Sequence, residues 1–255
     1  MIETHAHIYS DQFKEDIDEV IDKAKESGVD RIYMPNIDSG SIDAMLEMEH
    51  LYPGYCIPMI GLHPCSVKAD FEKELYIVED WLSKRDFVAI GEMGTDLYWD
   101  KTLFEQQKEA FKIQSDLAVR YEKPIVIHCR ESMEETITLL ESYRNTSLFG
   151  IVHCFSGSEE QARRIIDLGF KLGIGGVATF KNGGLEPVMQ NISLHEMVLE
   201  TDSPYLAPVP YRGKRNEPAY IRQVAQKIAD ERNIDISEVI EATTDTAMCI
   251  FENNK

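Results

Sequence analysis

At 255 residues, with 43% hydrophobic and 28% charged side chains, the chain has the length of one (β/α)8 barrel and a composition that excludes a disordered protein. A formal charge of -19 opposes wrapping of long duplex nucleic acid, because nonspecific affinity for a polyphosphate comes from lysine and arginine displacing counterions. No window approaches the ~18 apolar residues of a membrane span, and Met1-Ile2-Glu3-Thr4-His5 lacks the basic and apolar regions of a secretion signal, so a cytoplasmic protein is expected.

Apolar runs of strand length alternate with amphipathic stretches of helix length from end to end, the pattern of repeated βα units. In chain order, strands are predicted over Met1–Thr4, Arg31–Pro35, Ile57–Gly61, Phe87–Gly91, Pro124–His128, Gly150–His153, Phe170–Ile174 and Met197–Glu200. Their starts recur every ~20–35 residues, close to the ~30 residues of one βα unit. Between the first two, Glu15–Ser27 places Ile17, Val20, Ile21 and Ala24 on one helical stripe, and Gly28 stops it. The longest irregular stretch, Ser203–Pro218, surrounds Arg212-Gly213-Lys214-Arg215 with prolines; loops beyond ~12–15 residues are usually functional or disordered. Helices over Ala219–Asn233 and Ile236–Phe251 are expected to close the outer layer. The whole chain, 1–255, thus reads as a single α/β domain, a parallel TIM barrel.

Six side chains that bind metal well stand at or just past these apolar runs: His5, His7, Glu92, His128, His153 and Asp202. A parallel barrel builds its site from the C-terminal ends of its strands, so the six are expected to meet at one mouth. His5 and His7 are two apart and share a strand face, so both imidazoles can reach one ion. Glu92 is a lone carboxylate after an apolar run; bridging two cations would satisfy a charge that is costly to bury unpaired. His128 and His153 each end a β-branched run. Asp202 can both hold a metal and take a proton from water, which makes Asp202 and Glu92 the expected catalytic pair. Alone, any of these residues reads as a cap, a salt bridge or a core histidine; their repetition at strand ends favours a metal-dependent hydrolase.

His63, after the third run, faces the same mouth and is expected to contact substrate or water. Arg212, Lys214 and Arg215 offer phosphate donors on the long loop, the two arginines as bidentate forks. Glu200 is a weaker candidate to support the ligands, and His50 and His195 read as surface residues. Five cysteines with no C-x-x-C pair argue against a disulfide framework or a cysteine zinc cluster. Cys56, Cys129, Cys154 and Cys249 are expected as buried thiols and Cys65 in a loop; strand alternation would turn Cys129 and Cys154 away from a metal.

Thr4-His5-Ala6-His7, Gly61-Leu62-His63-Pro64, Gly91-Glu92-Met93-Gly94, His153-Cys154-Phe155-Ser156-Gly157, Thr179-Phe180-Lys181-Asn182 and Glu200-Thr201-Asp202-Ser203-Pro204-Tyr205-Leu206 occur in this order, followed by Ala207 to Pro218. In these blocks the chain resembles the TatD family of metal-dependent deoxyribonucleases, within the amidohydrolase-like barrels. The resemblance implies one divalent ion on His5, His7, Glu92 and Asp202, and a second on Glu92, His128 and His153. It also implies magnesium-stimulated 3′-5′ exonuclease action at a DNA strand end, or related phosphodiester hydrolysis, although mixed imidazole and carboxylate ligands suit zinc or manganese better. Two departures stand out, Glu3 and Tyr9, where the family usually or often carries Asp; Glu3 shares a face with His5 and is expected to orient ligands. A rival reading is hydrolysis of a small amide, lactone or phosphoester, and another is a non-catalytic metal-containing binding protein, which a missing ligand would favour. A monomer is expected.

Overall fold

Eight parallel strands pair in chain order around a ring in the computed structural model, which describes residues 1–252. They are β1 (Ile2–Glu3), β2 (Arg31–Met34), β3 (Cys56–Pro58), β4 (Ile90–Asp96), β5 (Ile125–Arg130), β6 (Gly150–Val152), β7 (Phe170–Ile174) and β8 (Met197–Leu199). Regular pairing runs β1-β2-β3 and β4 through β8. Both remaining seams are stitched by backbone. Ile60 bridges Ile90, with Gly91 N donating to Ile60 O at 2.9 Å, and Ala6 bridges Ser203, with Asp202 N donating to His5 O at 2.9 Å. The strands therefore close into the expected barrel, which leaves no exposed sheet edge.

Helices α1 (Ile17–Glu26), α2 (Ile42–Leu51), α3 (Glu72–Lys84), α4 (Phe104–Tyr121), α5 (Met133–Glu141), α6 (Glu159–Asp167), α7 (Glu186–Asn191) and α8 (Ile221–Arg232) connect or follow the strands. The last, α9 (Ile236–Phe251), matches its predicted bounds but does more than complete the outer layer. Its Ala247, Ile250 and Phe251 join an apolar cluster with Ile2, Tyr33, Met59, Ala89, Val126, Ile151 and Val198, drawn from seven strand segments. The Phe251 ring stacks on Tyr33 with centroids 4.1 Å apart. This plug fills the N-terminal end of the barrel, so polar groups are left to the opposite mouth. No helix of the described residues is long and apolar enough to cross a membrane.

The fourth strand differs most from expectation. Predicted over Phe87–Gly91, it starts at Ile90 and continues through Glu92 to Asp96, pairing with β5 as far as Asp96 opposite Arg130. Its second half is polar yet buried, so a hydropathy pattern ends it too early. Gly94 permits the close approach: at φ +147°, a Cβ there would stand 1.9 Å from His128 O. Cys249 is a second correction, being exposed rather than buried. The buried stripe of α9 is Val239, Ala242, Thr243, Thr246, Ala247, Ile250 and Phe251, and Cys249 lies off it. Cys56 and Cys129 are buried, Cys154 is half-buried and Cys65 exposed.

Candidate active site

The six expected ligands converge, with four histidines around Glu92. Its Oε2 lies 3.1 Å from His5 Nε2 and 3.3 Å from His7 Nε2, whereas Oε1 lies 2.9 Å from His128 Nδ1 and 3.0 Å from His153 Nε2. Asp202 Oδ1 closes the first side, 3.8 Å from His5 Nε2 and 3.6 Å from His7 Nε2. The His5 and His153 rings stack at 3.7 Å between centroids. Three overlapping sets, His5-His7-Glu92, His5-His153-Asp202 and His63-Glu92-His128, each bring their ligand atoms within 4.8 Å of one another.

The electrostatics fit a cation. Among the described residues neither Glu92 nor Asp202 pairs with lysine or arginine, and histidine nitrogens are what face them. Burial and the neighbouring His153 hold His5 well below the usual imidazole range, which keeps a lone pair for ligation. Burial raises Glu92, but the surrounding His153, His5 and His63 outweigh it and hold the carboxylate ionised. Burial pushes Asp202 up to about 6, against the opposing pull of His153 and His7. Nδ1 of His5 and of His153 are buried without hydrogen-bond partners. A metal cation held by Glu92, Asp202 and the histidines would supply the positive charge that no lysine or arginine provides.

Supporting hydrogen bonds set the imidazole tautomers. Tyr9 donates its single hydroxyl proton to Pro35 O at 2.6 Å, so at 2.9 Å from His7 Nδ1 it must accept, leaving the Nε2 lone pair aimed at Glu92 and Asp202. The departure at position 9 thus leaves His7 with an oriented partner. Glu3 Oε1 accepts from the backbone N–H of His5 at 3.0 Å and of Thr201 at 2.9 Å, tying together the segments that carry His5 and Asp202. Glu200 Oε1 accepts from Cys154 N at 2.5 Å and lies 3.3 Å from His153 Nδ1, outside hydrogen-bonding geometry. Gly173 leaves Glu200 its space, since a Cβ there would sit 2.2 Å from Glu200 Oε2.

His63 Nδ1 accepts from Cys65 N at 3.0 Å, so its Nε2 carries hydrogen where it faces Glu92 Oε1 at 3.4 Å. That is the form of a donor and not of a ligand. Cys129 and Cys154 line the cavity but belong to none of the ligand clusters. The strand stops at Val152, so alternation does not carry Cys154 to the far face. His50 and His195 are exposed, as expected.

Two residues that the sequence reading passed over complete the site. Asp96 Oδ2 is 2.9 Å from His128 Nε2, while its Oδ1 accepts from Tyr98 N and Trp99 N, both at 2.9 Å. Burial opposes its ionisation, but the His128 hydrogen bond and the two N–H groups hold it well below the usual carboxylate range. An ionised Asp96 accepts a hydrogen bond from His128 Nε2–H, which leaves the Nδ1 lone pair toward Glu92. Its signal was position: four residues after Glu92 on one strand. Asp96→Ala is expected to lower metal affinity or kcat/KM by ~10–100-fold, the range for removing a partner of a ligating histidine; metal titration and steady-state rates equal to wild type would remove this role.

Arg130 is the other, on β5 two residues after His128. It lines the cavity of about 800 Å³ that opens over His7, His63, Glu92, His128, His153 and Asp202. The expected phosphate donors do not line it. Arg215 forks onto Asp16 at 2.8 and 2.6 Å and contacts Glu217 at 3.0 Å, bracing the long loop against α1. Arg212 lies over the Phe180 ring at 3.7 Å, exposed, as is Lys214. Clustered charge in the sequence thus marked a loop whose arginines are largely committed to holding it.

Residues 2–252 match the family described as TatD related DNase. The chain is 38% identical over 255 residues to an uncharacterized metal-dependent hydrolase of Bacillus subtilis (strain 168), YabD, with 100% of both chains covered. It is 30% identical over 257 residues to a 3′-5′ ssDNA/RNA exonuclease TatD of Yersinia pseudotuberculosis, covering 98% of this chain and 99% of that one. The crystal structure of YJJV, a TatD homolog from Escherichia coli K12, superposes with a TM-score of 0.92 at 28% identity over 98% of this chain and 97% of its own. Agreement in sequence, fold and length across the whole chain means that the protein belongs to the TatD family of metal-dependent hydrolases.

Proposed function

We propose that the protein is a phosphodiesterase that uses two divalent cations to remove nucleotides from the 3′ end of single-stranded nucleic acid. The observation that carries this reading is the division of Glu92, one oxygen facing His5 and His7 and the other facing His128 and His153. His5, His7, Glu92 and Asp202 would hold one ion, and Glu92, His128 and His153 the other. Zinc or manganese suits this mixed donor set better than magnesium. When bound, such ions polarise a phosphoryl oxygen and make water a nucleophile near neutral pH.

Asp202, at the edge of the cavity, takes the proton from the attacking water and returns it to the leaving oxygen. His63 presents its Nε2 hydrogen to the phosphate. Arg212 and Lys214, exposed on the long loop, would meet the strand farther out. The substrate class is supported by the Yersinia exonuclease, which aligns over 99% of its length. High acidity favours a single strand over a duplex, because the strand end needs few phosphate contacts.

The test compares metal-loaded enzyme on 3′-labelled single-stranded DNA, RNA and a panel of small esters and amides. Release of mononucleotides from the 3′ end, lost with chelator, is the expected outcome. Turnover of an ester or amide with no shortening of either polymer would instead establish a small-molecule hydrolase.

A further inference from the structure

Beyond the ligands, the rim of the cavity carries exposed aromatic surface that phosphodiester cleavage itself does not require. Trp99 is 69% exposed and Tyr98 46%, and Trp99 lines the cavity. Their rings meet edge to face at 4.9 Å, and the Arg130 guanidinium lies 3.7 Å over Tyr98 and 5.5 Å from the centre of Trp99. Among the described residues Arg130 makes no ion pair, in a chain with 45 acidic side chains against 26 lysines and arginines. The segment is held firmly. Asp96 accepts both backbone N–H groups while its other oxygen holds His128, and Gln107 Oε1 accepts from Asp96 N at 2.8 Å as its Nε2 donates to Asp96 O at 3.2 Å. One carboxylate therefore fixes the aromatic rim relative to the ligand that faces Glu92.

We infer that Trp99, with Arg130 beside it, is a stacking platform for an unpaired nucleobase of the strand entering the site. A flat π face next to a guanidinium that stacks on Tyr98 and makes no ion pair, fixed above a phosphate-processing floor, matches the alternation of base and phosphate along one strand. A base inside a duplex has both faces covered and cannot use it, so the platform selects single strands. This inference rests on the phosphodiesterase reading and adds the element that recognises the base.

The test uses the metal-loaded full chain with single-stranded oligothymidylate and an abasic oligomer of equal length. Trp99→Ala should raise KM for oligothymidylate by about ten-fold, the scale of one base–aromatic stack, and Trp99→Phe should recover most of it. On the abasic oligomer the wild type should already show the higher KM, and the alanine variant should lose little more. Because Trp99 is one of two tryptophans and Trp81 is only part-exposed, oligothymidylate should also quench fluorescence more than the abasic oligomer does. An unchanged KM in Trp99→Ala, or an equal loss on both oligomers, overturns the platform while strand cleavage stands. If the wild type shortens neither oligomer yet hydrolyses a small ester, the phosphodiesterase reading fails and the platform with it.

Discussion

Glu92→Gln is expected to lower kcat for strand hydrolysis by at least about 1,000-fold while the barrel folds as before, since cation-based stabilisation of transition-state charge is worth several kcal/mol. Glutamine keeps the shape of the side chain, so packing around β4 is preserved. It replaces one carboxylate oxygen with an NH2 group, which has no lone pair for a metal. Whichever way the amide turns, either the His5 and His7 side or the His128 and His153 side loses its shared oxygen. Far-UV circular dichroism and the melting temperature should confirm folding, and metal analysis should show reduced content. Full activity in this folded variant would refute Glu92 as the shared ligand.

Removal of the cations should both silence hydrolysis and lower the melting temperature. Glu92 and Asp202 face the same histidines with no lysine or arginine beside them, so stripping the ions leaves both carboxylates without a compensating cation. An ion present at 100 times its Kd adds about 2.7 kcal/mol, and for a domain of this size each kcal/mol moves Tm by ~2–4 °C. A drop of roughly 5–10 °C on chelation follows, reversed by restoring zinc or manganese. Calorimetry of the stripped and reloaded protein measures it. Identical melts, with no metal recovered from either sample, would remove the cations from the mechanism.

Much of this site was legible in the sequence because each ligand stands where an apolar run stops. His128 and His153 directly follow an apolar run, and His5, His7 and Asp202 lie a few residues past one, so the rhythm of apolar runs lines them up at one end of the barrel. Glu92 came by the same rule, although its strand runs on to Asp96. Asp96 and Arg130 were missed for that reason: polar residues past the apolar run read as loop, whereas here they are the last paired residues of β4 and β5. Cys249 failed differently, since α9 is apolar on more than one side and only packing chooses the buried one.

From the chain alone came the barrel, its strand rhythm, the six candidate ligands and the family, because each rests on local pattern or on motifs in order. Tertiary structure alone decided which oxygen of Glu92 meets which histidine, which imidazole nitrogen keeps its lone pair, and which arginine reaches the cavity. Those choices depend on partners distant in sequence: Asp96 lies 32 residues from His128, and Asp16 lies 199 from Arg215. Hydrogen bonds and ion pairs act over a few ångströms of space, and only the folded chain brings such partners that close.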